Sequence, residues 1–283
     1  MVLAIGHWAQ AQDQKSRHAE PSETHFSYLM ADLSGVSDAV FMGRRDTVAA
    51  PYVLPSLGYY HKSGLFAGAS LSYLLASGQG RVDLAMLTGG FRFGREKFSG
   101  MLSATAYLFN EASYNVQSET TADVSAALSY DWGPLEASFQ LSGFFGKGGS
   151  SDLFTGIGVN GNLYSGGQRL LWQPGVTLYG GSQSFYEAYY NNSRLGNRKA
   201  SGMGPGSGGM AQELVLEQAT KFELLNAEIS LPVTVFHNQW IFSAEPALAI
   251  PFNPATVSGP DFSYSEDLQP VFYFRAGIGY WFP

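Results

Sequence analysis

Five tight turns, with longer connections between them, limit what this chain can fold into more than any other feature. They fall at Lys62-Ser63-Gly64, Arg95-Glu96, Gly133-Pro134, Gly166-Gly167 and Asn238-Gln239. The first four, centred at 63, 95, 133 and 166, stand 32, 38 and 33 residues apart. Longer, more polar connections lie at 76–81, 111–119, 147–152, 184–220 and 253–267, and short and long alternate without exception. Each interval holds two segments of about ten to thirteen residues plus a loop, the hairpin repeat of a membrane-spanning barrel.

The segments alternate with a period of two, as strands require. Leu65, Ala67, Ala69, Leu71 and Tyr73 face one way, and Phe66, Gly68, Ser70 and Ser72 the other. The same pattern runs through 98–108, 122–132, 135–142, 153–163, 170–178, 225–235 and 240–252. Strands at 82–94 and 271–282, with two less regular ones near 36–44 and 50–61, bring the expected number to twelve. The stretch 27–43 alternates poorly, so the first strand has no clear limits.

Composition fits an apolar outside and a bending wall. Charged residues make up 14% of the chain, against 34 glycines, 16 tyrosines and 20 phenylalanines. The mean hydropathy of −0.06 excludes nothing here, because a barrel strand is apolar only at alternate positions. No run of about 18 apolar residues occurs, so no membrane-spanning helix is expected. Cysteine is absent, which removes disulfides and thiolate metal sites. A net charge of −7 and a pI near 5.2 argue against a nucleic-acid partner. No residue pattern calls for a cofactor. Ala9-Gln10-Ala11 has the spelling of a secretory cleavage site. Residues 1–11 therefore read as the remnant of a signal peptide, and 12–25 as a disordered segment before a single barrel domain over 26–283.

The last stretch puts Phe272, Phe274, Ala276, Ile278, Tyr280 and Phe282 on one face. Tyr273, Arg275, Gly277, Gly279 and Trp281 share the other with Val271. It resembles the closing strand of bacterial outer-membrane β-barrels, the porin-like superfamily, with Pro283 as a departure after the terminal aromatic. That resemblance implies an all-β fold, a closed antiparallel transmembrane barrel with both termini periplasmic. It also implies residence in the outer membrane of a Gram-negative bacterium, with lipid and the barrel-assembly machinery as partners. Phe274, Ile278, Tyr280 and Phe282 would carry the assembly signal. A periplasmic girdle is expected from Tyr59, Tyr60, Phe91, Phe93, Phe98, Tyr130, Trp132, Tyr164, Phe236, Trp240, Tyr280 and Phe282.

Pro55, Pro174, Pro232 and Pro246 oppose a regular barrel, since proline removes a ladder donor. The last three flank the longest loop, and that sector is expected to be bulged or frayed. The glycine pattern Gly156-Ile157-Gly158-Val159-Asn160-Gly161 spells a dinucleotide fingerprint, but it lies inside an alternating strand and has no helix to receive a phosphate. The histidines (His7, His18, His25, His61, His237) lack metal spacing and a serine at matching depth, so a hydrolase is not expected.

Parity points Arg92, Asp123, Asp131, Glu136, Glu228, Glu245 and Arg275 into the lumen, where they are candidate pore-lining groups. Glu245 and Arg275 should lie at one depth on neighbouring strands and form an ion pair. Either a filtering constriction or a packed salt-bridge plug is consistent with this. The expected function is a small passive channel for ions or small solutes. The alternative is a non-conducting barrel that anchors a cell-surface complex. The loop over 184–220, aromatic at its start and glycine-rich in its middle, could contact a protein partner.

Overall fold

The computed structural model describes residues 26–45, 50–75, 80–111, 113, 115, 117–184, 215–217, 221–254, 256–259 and 262–283. Among these residues eighteen strands follow one another. They are β1 (Tyr28–Val36), β2 (Tyr52–Tyr60), β3 (Leu65–Leu74), β4 (Arg81–Arg95), β5 (Phe98–Phe109) and β6 (Thr120–Asp131). Next come β7 (Leu135–Gly146), β8 (Ser151–Gly161), β9 (Leu163–Ser165), β10 (Leu170–Trp172), β11 (Gly175–Gly181) and β12 (Val215–Glu217). The last are β13 (Glu223–Ser230), β14 (Val233–His237), β15 (Trp240–Pro251), β16 (Thr256–Gly259), β17 (Phe262–Ser265) and β18 (Val271–Phe282).

Fifteen of these belong to one sheet. Three pairs, β8–β9, β10–β11 and β13–β14, are single walls interrupted at Asn162, at Gln173-Pro174 and at Leu231-Pro232, which leaves twelve barrel strands. Consecutive strands pair antiparallel, and β1 pairs with β18 so that Leu29 faces Phe282 and Val36 faces Arg275. Closure removes every free edge, as a wall in lipid demands. The remaining β12, β16 and β17 form a small separate sheet that ties the longest connection to the last one.

The irregular sector falls where the prolines predict. Pro174 and Pro232 sit in two of the three breaks, and Gln173 N–H bridges the gap to the Pro232 carbonyl at 2.8 Å. Opposite, Leu231 N–H reaches the Pro246 carbonyl at 3.1 Å. Pro55 costs β2 its contacts with β3 between the pairs Val53–Tyr73 and Ser56–Ser70. The Gly156–Gly161 pattern lies within β8, so its glycines belong to the wall.

One expected strand is not one. Residues 36–44 do not form a wall segment; β1 ends at Val36 and the chain then folds into the long-loop end of the barrel. Poor alternation after Val36 has this cause, because a segment that packs on several sides has no two-residue period. The segment turns back at Phe41–Arg44, where Phe41 and Arg44 exchange backbone hydrogen bonds of 2.8 and 2.9 Å. Met42 (φ 49°) and Gly43 (φ 75°) both take the left-handed conformation of a tight hairpin turn. Gly43 is also wedged against the end of β15: a Cβ there would lie 2.8 Å from Pro251 Cβ. The expected disorder of 12–25, the signal remnant and most of the 184–220 loop fall outside the described residues.

Candidate functional site

Each wall strand sends one row of side chains outward and one inward. Outward rows are apolar and solvent-accessible along the whole circumference, from Leu33, Leu57 and Leu87 to Leu108, Ile157 and Phe272, the last 67% exposed. Inward rows are polar and buried: Asp83, Thr105, Asp123, Glu136, Asp152, Asn226 and Glu245 are all under 10% exposed. That is a soluble protein turned inside out, and an apolar surface of such extent is stable only against lipid. This is an outer-membrane-type β-barrel.

The aromatic girdle is narrower than parity-blind reading suggests. Tyr59, Phe91, Phe93, Phe98, Tyr130, Trp132, Trp240 and Phe282 are exposed on the short-turn side, and Tyr280 packs edge-on against Trp240, 4.8 Å between centroids. Tyr60 and Phe236 point inward, 7% and 4% exposed, and Tyr164 packs with them. Tyr59 and Tyr60 are adjacent in a strand, so both could not face lipid. The inward aromatics join Tyr28, Met30, Phe66, Leu171 and Ile241 in an apolar cluster that fills the short-turn end. Arg92 belongs to this cluster: its guanidinium lies 4.5 Å over the Tyr60 ring and donates to Tyr28 Oη at 3.2 Å.

Mid-barrel charges gather on one wall. Glu245 and Arg275 are direct cross-strand partners, and Arg275 Nη1 donates to Glu245 Oε2 at 3.2 Å. Arg275 Nη2 donates to Tyr273 Oη at 2.7 Å, and Tyr273 in turn donates to Glu228 Oε2 at 2.5 Å. The Glu228 carboxylate also stands 3.9 Å from Arg275 Nη2. One guanidinium therefore serves two carboxylates, which leaves this wall net negative. The facing wall is lined with hydroxyls: Thr88 meets Thr105 at 3.1 Å, and Ser125 meets Ser142 at 2.8 Å.

Two further tyrosine–carboxylate pairs have the same design. Tyr107 Oη donates to Asp123 at 2.5 Å, and Ser125 Oγ donates to its other oxygen at 2.5 Å. Tyr52 Oη donates to Asp83 at 2.5 Å, which also pairs with Arg81 at 3.1 Å. Parity predicts Asp123 but the sequence reading omits Asp83, Asp152 and Asp32, which also face inward. Alternation through 82–94 puts Asp83 on the face opposite Leu84, Met86 and Arg92; the register shift at Ser72/Tyr73 leaves Asp83 out of the ladder and buries it beside Leu84, so parity does not find it. Glu136 is buried near the short turns. Asp131 is different: it accepts Gly133 N–H at 2.5 Å and caps its turn at the rim, outside the central network.

At the long-loop end the folded-in finger meets the opposite wall. The Phe41 ring packs 5.8 and 5.3 Å from those of Phe144 and Phe154. Arg44, with its side chain wholly buried, donates to Gln183 Oε1 (2.9 Å), the Asn253 carbonyl (3.0 Å) and Glu266 Oε2 (3.2 Å). Its base is fastened by Asp38, whose carboxylate accepts Ala39 and Ala50 N–H at 2.9 Å each and pairs with Arg45 at 2.6 Å. Between finger and apolar cluster lies one cavity of about 230 Å³. It is lined from Asp38 and Phe41 through Gln140, Glu228 and Arg275 to Asn160, Gln173 and Thr234. At roughly 10–15 Å³ of such volume per water, it holds on the order of fifteen to twenty.

Among the histidines, His61 does meet a serine, which spacing alone did not suggest. Its Nδ1 lies 2.8 Å from Ser63 Oγ and accepts Ser63 N–H at 3.2 Å, the geometry of a turn cap.

No protein-family model matches the sequence, and no curated protein matches it either. Solved structures that share the barrel include the KdgM porin, 7% identical over 89% of this chain and 98% of that one, with a TM-score of 0.49. The NanC porin is 9% identical over 89% and 98%, TM-score 0.47. LpxR from Salmonella typhimurium is 11% identical over 89% and 99%, TM-score 0.44. Likeness at that level carries nothing about solute or activity.

Proposed function

We propose that this porin-like barrel is a narrow, cation-preferring channel for ions or small solutes. The observation behind it is the cavity of about 230 Å³ between the folded-in finger and the short-turn cluster, whose lining includes Glu228, Glu245, Arg275 and the hydroxyls of Thr88, Ser125 and Ser142. A lumen with more carboxylates than guanidinium groups concentrates cations. The finger at one end and the Tyr60–Phe236 cluster at the other narrow the path, so conductance per molecule is small. Refolded protein in a planar bilayer should show discrete, low-conductance steps. A folded, heat-modifiable barrel that never conducts would favour the second reading, a non-conducting anchor, which the packed ends and the Arg275 network also suit. The reading is non-enzymatic.

Three expectations accompany it. Short turns and both described ends of the barrel, Tyr28 and Phe282, share one side, which we assign to the periplasm. Cysteine introduced at Gln269 should then label on intact cells and cysteine at Ser63 should not; the opposite pattern reverses the orientation. The long connection over 184–220 is the proposed contact for a protein partner. The assembly signal is assigned to Phe274, Ile278, Tyr280 and Phe282. Combined Tyr280→Ala and Phe282→Ala removes the 4.7 Å ring contact between them and the Trp240 contact. Membrane insertion by the assembly machinery should fall severalfold, and insertion at the wild-type level would refute the assignment.

A further inference from the structure

A second, smaller cavity of about 50 Å³ lies against the inner face of β1–β4. It takes on the order of three to five water-sized occupants. Asp32, Ser56 and Ser70 stand along it in one cross-strand row, Asp32 opposite Ser56 and Ser56 opposite Ser70. Side chains opposed in this way have Cβ atoms about 4.5–5.5 Å apart, so their oxygens converge on a single small volume. Ser34 and Thr88 add hydroxyls to the lining. Space beside the row comes from Gly58 and Gly68, which face each other across the β2–β3 ladder.

Two of these oxygens lack any protein partner: Asp32 Oδ2 and Ser70 Oγ. Ser70 is 5% exposed, so bulk solvent does not satisfy its hydroxyl. A buried polar atom left without a partner is unfavourable, and more so when it carries charge. Water could satisfy Ser70. It would leave an ionised Asp32 uncompensated: among the described residues no ion pair includes Asp32, and the Arg92 guanidinium, though its Nε has no partner, is held over Tyr60 and against Tyr28.

We propose that this cavity binds a small monovalent cation of the sodium class, held by the Asp32 carboxylate and the hydroxyls of Ser56 and Ser70. The donor set is oxygen only, which selects hard cations. There is one carboxylate, and Met30, Leu54 and Phe66 supply apolar lining. A monovalent ion neutralises the site, whereas a divalent ion would leave net positive charge in a poorly polarisable wall. The proposal stands whether or not the lumen conducts.

The test uses the full-length barrel refolded in detergent, with sodium chloride exchanged for choline chloride at constant ionic strength. Choline is too large for the cavity. Sodium should raise the thermal midpoint saturably, by roughly 3 °C or more at saturation. Asp32→Asn should abolish the dependence. Should that variant fail to refold, Ser70→Ala, which removes one oxygen, should raise the half-saturating sodium concentration at least severalfold. Equal midpoints in the two salts mean that the cavity holds only water and overturn the site. A sodium response unchanged in the folded variants overturns its placement. A stronger response to calcium than to sodium overturns the monovalent assignment.

Discussion

Arg275→Ala should lower the stability of the refolded barrel by about 3 kcal/mol. The arginine side chain is 17% exposed and holds Glu245 and Glu228, themselves 10% and 11% exposed, so its loss strands two carboxylates beside one another. Breaking a buried pair from one side typically costs about 3–5 kcal/mol. The lower end applies here because the neighbouring cavity lets water reach the freed groups. Urea unfolding in detergent measures the loss. Adding Glu228→Gln and Glu245→Gln to the variant should recover most of it, since the penalty lies in unpaired charge and not in lost contacts. If the triple variant is no more stable than Arg275→Ala, packing and not charge is the cause.

Arg44→Ala should have the largest effect on passage through the barrel. Its buried guanidinium ties the finger to Gln183, Asn253 and Glu266, three residues from two other long connections. Without it the tip keeps the Phe41 ring contacts and the close approach of Gly43 to Pro251 but loses every side-chain hydrogen bond of Arg44 that fixes it over the mouth. Single-channel conductance should rise severalfold, and Phe41→Ala should add to it. Unchanged conductance in the folded double variant would show that the finger is not the restriction at that end.

Much of this was legible in the sequence because a barrel writes its geometry into a period of two. The alternation of tight turns and long connections placed the strands, and parity together with equal distance from the short-turn end put Glu245 beside Arg275. The prolines at 174, 232 and 246 correctly marked the broken sector. What stayed hidden was everything that leaves the period. The finger over 37–45 packs on several sides at once, so its residues read as a poor strand. Tyr60 and Phe236 sit next to the girdle in sequence but belong to the inner cluster, a distinction that strand parity makes and that a count of aromatics near the short turns does not. The tyrosine–carboxylate pairs join strands by side-chain reach, which no spacing rule encodes. The His61–Ser63 contact arises from the turn itself.

The central claim is that the lumen is a water-holding passage biased toward cations. Its most direct test is the reversal potential of the refolded wild-type protein in a planar bilayer across a potassium chloride gradient. The sign should report cation preference at low salt, and the preference should shrink as added salt shortens the screening length to a few ångströms. Anion preference, or a folded barrel that carries no current even with Arg44→Ala and Phe41→Ala in place, would contradict it.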